Sequence, residues 1–222
     1  MSPHLVLKLP HLLLAFAWLG CGVAGRAADD ATNDAAARVP VKNVLAAAAL
    51  WPDLQDDLTP VQLEGVVTGT MPSGAFRLHD GAAGIYASRS SAGQQLTPGD
   101  RVRVTGVLRH GGFSPWITPH EVVALGRGEF PEAEPATFHL LASGVADNQW
   151  LEIEGVVRDV EIPESRDFVL LDLGMTGGNV RVLVNNDRES PFEHLLDATV
   201  RLRGVAAVNV NRHGHVVEPT FR

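Results

Sequence analysis

One short loop, Gly111–Trp116, holds the residues best suited to bind a ligand. It presents two large aromatic side chains, Phe113 and Trp116, and aromatic rings can stack on bases or sugars or anchor a protein partner. Arg77 and Tyr86, the only tyrosine in the chain, lie on predicted strands that can share a face with this loop. We therefore predict Phe113, Trp116, Tyr86 and Arg77 as ligand- or partner-binding residues. The two rings of the loop can instead serve packing alone, by closing the end of a domain or contacting a neighbouring one.

The usual signatures of a hydrolytic enzyme are missing from the sequence. It has no Gly-x-Ser-x-Gly elbow, and its only cysteine, Cys21, lies in an N-terminal segment that we expect to be removed. Paired glycines at Gly111–Gly112 and Gly177–Gly178 lie between predicted strands, where turn formation explains them better than phosphate binding does. We therefore expect no enzymatic activity and no cofactor.

Histidines offer a further candidate chemistry, metal binding. His213 and His215 can point to the same side of a strand, and His110 and His120 flank the aromatic loop. Zinc sites use tighter sets of three or four ligands, so these pairs are a weak signal. Solvated loop histidines explain them better, and we expect no metal site.

The composition is that of a folded, acidic protein. The chain has 222 residues, of which 45% are hydrophobic and 20% charged, and its net charge is −8. Removal of residues 1–27, which contain Lys8 and Arg26, leaves 16 basic and 26 acidic residues and a net charge of −10. This charge argues against nucleic acid as a partner, because non-specific affinity for it comes mainly from basic side chains that neutralise phosphates.

The N-terminal segment has the pattern of an export signal. Leu5–Val23 is mostly apolar and leads into a run of small residues, with cleavage expected near Ala27. Its apolar centre, Leu12–Leu19, is too short to span a bilayer, and no later segment is a candidate span. We therefore expect a periplasmic protein with no membrane span after signal removal. Lipid attachment through Cys21 is the alternative, although Trp18 stands where a lipoprotein signal has an aliphatic residue.

The remainder of the chain contains an internal repeat. Leu63–Gly69 returns as Ile153–Asp159, and Val102–Val107 returns as Val200–Val205. Gly155 follows Gly65 by 90 residues, and Gly204 follows Gly106 by 98. Two landmarks repeated in the same order at a similar offset indicate a duplicated domain rather than a solenoid of short repeats.

Alternating apolar residues separated by turn signals predict five short strands in each copy. Asn43 can cap a short helix that ends at Leu50, and Pro191 can start a helical turn in the second copy. Mid-strand glycines such as Gly106 predict bulges or sharp bends where a small barrel closes. The predicted fold is all-β, with two tandem OB-fold-like five-stranded barrels and short helical plugs.

The repeat also divides the chain into segments. We assign 1–27 to a signal peptide, 28–57 to a tether and short helix, 58–127 to the first OB-like module, 128–140 to a linker, and 141–222 to the second module. Few residues follow Gly204, so the sequence leaves open whether the last strand is complete.

The strand and turn series resembles a known family. The stretches LEGVVTG, FRLHDGAAGIYAS, LTPGDRVRVTGVL, GGFSPWI and WLEIEGVVRDV are similar to the tandem OB-like extracytoplasmic sensor region of bacterial sensor histidine kinases and hybrid kinases. The resemblance covers Val39 to about Val210 and lies in strand starts and turns. Family members also carry a membrane span and a kinase segment, so this chain would act as a free-standing module, as a partner of a separate kinase, or as the front piece of a longer protein.

The resemblance implies a non-catalytic, exported ligand- or partner-binding module of an envelope signal-transduction system. Its expected partners are a sensor histidine kinase or another envelope protein, with a small molecule or glycan as ligand. The alternative is a stand-alone extracytoplasmic OB-fold protein that binds carbohydrate or oligonucleotide.

Overall fold

The computed structural model describes residues 39–54, 59–89, 95–111, 113–164, 168–185, 192–213 and 216–222. The predicted signal segment with Cys21, most of the tether, and His215 lie outside the described residues. In the first half of the chain the elements are α1 (Val44–Ala49), a 3-10 turn (Trp51–Asp53), β1 (Pro60–Thr70), β2 (Phe76–His79), β3 (Gly84–Ala87), β4 (Asp100–Arg109) and β5 (Trp116–Arg127). In the second half they are β6 (Glu134–Pro135), α2 (Phe138–Ser143), β7 (Trp150–Glu161), β8 (Phe168–Met175), β9 (Gly178–Asn185), a 3-10 turn (Phe192–Leu195), β10 (Thr199–Val210) and β11 (Val216–Phe221).

The first five strands form a closed barrel in the order β1-β2-β3-β5-β4. Strand β4 pairs with β1 and closes the ring, while β3 and β5 are parallel neighbours. The Asn43 side chain accepts a hydrogen bond from the Ala46 N–H at 2.7 Å and caps α1, as predicted. Val44 and Ala47 of this helix are buried in the barrel core, so α1 plugs the barrel.

The second half forms a barrel of the same kind. Its strands follow the order β10-β11-β9-β8-β7, and the pairing of β10 with β7 closes the ring. A last strand is present after Gly204: β11 pairs antiparallel with β10 and parallel with β9. The predicted all-β class with two tandem OB-like barrels is therefore confirmed.

The predicted linker, 128–140, contributes to the second barrel. Its β6 runs parallel to β7, and α2 begins directly after Thr137, whose hydroxyl caps the helix by accepting from the Leu140 N–H at 3.3 Å. The first barrel has the same start, because Val41 bridges Val61 in parallel just before α1. Helix α2 spans only six residues, which is too short for a periodic apolar pattern to reveal it.

The repeated stretch that marks each copy is the first barrel strand, and its glycine is required by close packing. A Cβ at Gly65 would overlap the His79 carbonyl, and one at Gly155 would lie 2.6 Å from the Gly174 carbonyl oxygen. The register shifts between Val67 and Gly69 on β1, and it shifts at the matching place on β7. A register shift between Thr105 and Gly106 confirms the bulge predicted on β4.

No helix in the described part of the chain is both long and apolar enough to cross a membrane.

Candidate functional site

Three of the predicted binding residues form a row across neighbouring strands of the first barrel. Arg77 on β2 is paired with Tyr86 on β3, and Tyr86 is paired with Trp116 on β5. The Tyr86 and Trp116 ring centres are 6.3 Å apart in an edge-to-face arrangement. Because Phe76 and Leu78 fill the barrel core, Arg77 points outward, onto the barrel's outer surface. This surface is where OB folds bind their ligands.

The second barrel covers this outer face of the first. Arg77 is only 6% exposed, although its neighbours on β2 show that it points away from the core. The covering segment is the loop 144–149, between α2 and β7. A Cβ at Gly84 would overlap the Asn148 carbonyl oxygen, so the loop lies directly against β3.

Side-chain hydrogen bonds fix the loop against the first barrel. Arg77 Nε donates to Asn148 Oδ1 at 3.2 Å, and the Gly84 N–H donates to Gln149 Oε1 at 3.2 Å. The Ser114 hydroxyl donates to Asp147 Oδ2 at 2.7 Å. Asn148 holds a left-handed backbone conformation with φ of 64°. Such backbone is rare for residues other than glycine and clusters at functional sites.

A cleft of about 320 Å³ remains beside this contact, between the two barrels. We call it the aromatic cleft; among the residues that line it are Arg77, Tyr86, Phe113, Trp116, Asp147 and Arg222. All four residues singled out from the sequence therefore border one cavity.

The aromatic cleft contains one arginine, Arg77, that is buried and forms no salt bridge with any residue that the structure describes. Burial, together with the nearby Arg222 charge, lowers the pKa of Arg77 to about 10. Asp147 acts on Arg77 in the opposite direction, yet among the described residues no carboxylate forms a salt bridge with Arg77 or Arg222. A buried cation without a paired anion is costly, so the site favours an added negative charge.

Asp147 is instead occupied by hydrogen-bond donors. Its Oδ2 accepts from Ser114 and, at 2.8 Å, from Asn148 Nδ2, while Oδ1 accepts from the Val208 N–H at 3.3 Å. Burial is the main cause that raises the pKa of this carboxyl. The carboxylate therefore serves to lock the covering loop in place.

The two aromatics of the loop have different surroundings. Phe113 packs over Gly144 of the second barrel, where an added Cβ would overlap its ring. This is the packing alternative that the sequence left open. Trp116 and Tyr86 are half-buried and line the cleft. We therefore regard Trp116, Tyr86 and Arg77 as the candidate ligand contacts, and Phe113 as a contact between barrels that also borders the cleft.

Asp147, Asn148 and Arg222 were not found from the sequence. They come from the second copy, and no local pattern indicates that they lie near Arg77, from which Asn148 is 71 residues away and Arg222 is 145 (222 − 77). One sequence feature points to them: Asp147, Asn148 and Gln149 are three consecutive polar residues just before β7. A segment that only connected two strands would not need three such side chains.

Within the described residues, no group of three or more His, Cys, Asp or Glu side chains is placed to share a metal ion. His79 is buried, which lowers its pKa, and its Nδ1 accepts from the Gly81 N–H at 3.1 Å. His110 stacks on Trp51 with ring centres 5.7 Å apart.

Comparisons with known proteins give fold likenesses only. No protein-family model and no curated protein sequence matches the chain. The chain is similar to the hypothetical protein ygiW from E. coli, with 21% identity, 39% of this chain and 90% of that protein covered, and a TM-score of 0.32. A murine DNA binding protein bound with double-stranded DNA matches at 12% identity, covering 72% and 92%, with a TM-score of 0.36. The tetrameric p202 HIN2 matches at 11% identity, covering 73% and 86%, with a TM-score of 0.32. These scores are too low to bear on function.

Proposed function

We propose that this protein is a non-catalytic binding protein that holds a small organic anion between its two barrels. The observation that carries the proposal is the pair of arginines that line the aromatic cleft, the buried Arg77 and the exposed Arg222, which have no salt-bridge partner among the described residues. A carboxylate or phosphate can accept two parallel hydrogen bonds from one guanidinium group, which makes arginine a specific receptor for such anions.

The aromatic side chains suit the body of such a ligand. Tyr86 and Trp116 are half-buried and border the same cleft as Arg77, so a planar or sugar-like ring attached to the anion can pack on them. A volume of about 320 Å³ is at the small end of ligand pockets, which favours a single small molecule over a polymer. Nucleic acid is not proposed, because the net charge of −8 repels its backbone.

A neutral glycan is the second candidate ligand. The observation that favours it is the combination of the two aromatic rings with the polar side chains of Asp147 and Asn148 at the same cleft. Sugars commonly combine ring stacking with hydrogen bonds to such groups. A glycan would not need the unpaired guanidinium charges, and this separates the two candidates.

We further propose that the protein works outside the cytoplasm in an envelope signal-transduction system. The support is the sequence resemblance to extracytoplasmic sensor regions, together with a ligand cleft whose walls come from both barrels. A ligand that contacts both walls can change how the barrels fit together, which a partner protein can detect.

Binding is tested by isothermal titration calorimetry with matched probes at pH 7. Glucuronate and benzoate represent anions with a ring, and glucose and benzyl alcohol are their neutral counterparts. We expect the anions to bind at least tenfold more tightly than the neutral compounds, since each lost charge-assisted hydrogen bond costs about 1.5–3 kcal/mol. Tighter or equal binding of glucose would transfer the assignment to the glycan candidate.

Substitutions at the aromatic cleft test whether the ligand binds there. Arg77→Met and Trp116→Ala are expected to weaken glucuronate binding by about tenfold or more, while circular dichroism shows that the fold is retained. The matched control is Arg181→Met, because Arg181 occupies the position of Tyr86 in the second barrel and is exposed. If none of the probes binds the wild-type protein, the small-anion function is rejected.

The signalling role has separate tests. A fusion of the full chain to alkaline phosphatase is expected to be active only if the N-terminal segment directs export. A sensor kinase encoded beside the gene is expected to change its autophosphorylation when the purified protein is added. Cytoplasmic retention, or a gene with no signalling neighbour, would remove this setting without affecting the binding proposal.

A further inference from the structure

A second cavity shares two of its lining residues with the aromatic cleft. Its volume is about 420 Å³, and Arg77 and Arg222 line both cavities. We call it the barrel-mouth cavity; its other walls include Thr68, Met71 and Pro72 of the first barrel and Val184, Leu202 and Phe221 of the second. Phe221 belongs to the second hydrophobic core, and Val184 and Leu202 pack against that core. The cavity therefore lies against the core of the second barrel.

Thr68 provides an independent sign that this cavity holds a polar group of a ligand. Thr68 is only 5% exposed, and its Oγ1 has no hydrogen-bond partner in the described part of the protein. It is the extra residue of the bulge on β1, since Val67 pairs with Leu78 and Gly69 pairs with Arg77. Bulges commonly re-aim a side chain next to a binding site. A buried hydroxyl without a partner is rare and requires an explanation.

Charged and apolar residues line the same cavity. Arg77, Arg222 and Thr68 contribute the polar part of its lining, while Val184, Leu202 and Phe221 form an apolar wall. Arg77 uses its Nε to bind Asn148, and none of its other nitrogens has a hydrogen bond to a described residue. The cavity thus combines three hydrogen-bond donors for an anion with a hydrophobic compartment for an attached chain.

We infer that the barrel-mouth cavity binds an amphipathic carboxylate, with its head between Arg77, Arg222 and Thr68 and its apolar chain in the mouth of the second barrel. This inference rests on the proposed function through the two shared arginines, and it adds a second ligand class at a second cavity. The carboxylate oxygens accept from the guanidinium groups and the hydroxyl, which satisfies Thr68 Oγ1. The chain removes apolar wall surface from water, which is the main source of affinity for such ligands.

The test uses octanoate as the probe and measures its dissociation constant by isothermal titration calorimetry on the full chain. Acetate has the same head without the chain, and 1-octanol has the same chain without the charge. We expect octanoate to bind at least about 100-fold more tightly than acetate, because each buried methylene group increases the affinity several-fold. We expect it to bind at least about tenfold more tightly than 1-octanol, because the charged hydrogen bonds are lost in the alcohol.

Thr68→Val distinguishes a ligand contact from a structural residue. Valine keeps the shape and removes the unpartnered hydroxyl, so the melting temperature without ligand is expected to stay the same or rise. Octanoate affinity is expected to fall by about tenfold in the same variant. The matched control is Thr118→Val, whose hydroxyl accepts from Arg109 Nε at 3.1 Å outside this cavity, and which is expected to leave octanoate affinity unchanged.

A second variant fills the cavity. Leu183 is half-buried, lines the barrel-mouth cavity and is not part of the second core, so Leu183→Trp occupies the space without replacing a core side chain. We expect this variant to abolish octanoate binding. The dissociation constants for glucuronate and benzoate, measured by the same calorimetry, are expected to stay within about twofold of the wild-type values.

The outcomes separate this inference from the proposed function. If octanoate binds no more tightly than acetate or 1-octanol, or if Thr68→Val and Leu183→Trp both leave its affinity unchanged, the inference is overturned. In that case binding of glucuronate or benzoate that depends on Arg77 would still uphold the proposed function. Failure of every anion to bind would reject both.

Discussion

The two barrels present the same row of three positions on the second, third and fifth strands, with different side chains. Pairing registers place Arg77, Tyr86 and Trp116 in the first barrel at the positions of Asp172, Arg181 and Thr220 in the second. The second row satisfies its own polar groups. Arg181 forms an exposed salt bridge with Glu218 at 3.6 Å, and the Thr220 hydroxyl donates to the Ala207 carbonyl at 3.1 Å. In the first row, Arg77 forms no salt bridge with any described residue, so a ligand anion can pair with it.

The bulge on the first strand of each barrel shows the same divergence. Thr68 and Arg158 are the extra residues of the two bulges. Arg158 is exposed and lies 3.5 Å from Asp197, whereas Thr68 is buried and its Oγ1 has no hydrogen-bond partner among the described residues. Both copies therefore have the β-bulge, but the residue at the bulge differs between them. The copies thus share what builds the barrel and differ where the first barrel meets the second.

The largest expected effect comes from separating the barrels at Gly84. An Ala side chain there would overlap the Asn148 carbonyl oxygen, so Gly84→Ala must push the covering loop away from β3. We expect a loss of about 2–3 kcal/mol in the free energy of unfolding, measured by urea denaturation. We also expect a larger radius of gyration in small-angle X-ray scattering.

Asn179 is the matched control for Gly84. It occupies the same place in the second barrel, since Gly84 pairs with His79 and Asn179 with Gly174. Its side chain is exposed, so Asn179→Ala is expected to change the free energy of unfolding by no more than about 0.5 kcal/mol. Equal losses in the two variants would show that the barrels do not meet at β3.

The second prediction concerns the two loops that join the last strands. Phe113→Ala removes a half-buried ring that packs on Gly144, and we expect a loss of about 1–2 kcal/mol in the free energy of unfolding. Arg212 lies in the corresponding loop of the second barrel and is exposed. Arg212→Ala should therefore be nearly neutral, within about 0.5 kcal/mol. A neutral Phe113→Ala would mean that the ring contributes to ligand binding and not to the contact.

The barrel fold and part of the candidate site could be predicted from the sequence. The barrels were predictable because a half-buried strand needs alternating apolar residues, and the repeat supplied that pattern twice, at Leu63–Gly69 and Ile153–Asp159. The row formed by Arg77, Tyr86 and Trp116 was predictable in part, because strand alternation placed Arg77 opposite the core face.

The position of one barrel on the other was not predictable. It depends on Asn148 and Gln149, whose hydrogen bonds to Arg77 and Gly84 join residues 71 and 65 positions apart. Local periodicity contains no information on contacts at that separation. Burial of Arg77 was hidden for the same reason, since an alternating charged residue on a strand normally indicates a solvated face.

The third prediction compares two aspartates whose pKa values shift in opposite directions. Burial at the barrel contact raises the pKa of Asp147, so the folded protein binds its proton more tightly than the unfolded chain does. Its contribution to stability is then present below pH 3.8, the ordinary value, and is lost as the pH rises through the folded pKa. In Asp100, chiefly the hydrogen bond from the Thr97 N–H lowers the pKa, so its contribution is present above pH 3.8 and is lost as the pH falls.

Both pH dependences can be measured by urea denaturation of the wild type, Asp147→Asn and Asp100→Asn across the acid range. The stability of the wild type relative to Asp147→Asn should fall as the pH rises above 3.8, and that relative to Asp100→Asn should fall as the pH drops below 3.8. Two curves of the same sign would show that Asp147 is solvated and that the covering loop does not bury it.

The smallest effect is expected where the two barrels are alike. Glu64 lies 2.6 Å from Arg103 on the first barrel, and Glu154 lies 2.9 Å from Arg201 at the matching place on the second. All four side chains are between 39% and 65% exposed, so solvent screens both pairs. Glu64→Gln and Glu154→Gln should each leave the unfolding midpoint unchanged within experimental error, and equally so in high salt. A clear loss for Glu64→Gln alone would mean that the second barrel shields this part of the first barrel too, extending the contact beyond the row around Arg77.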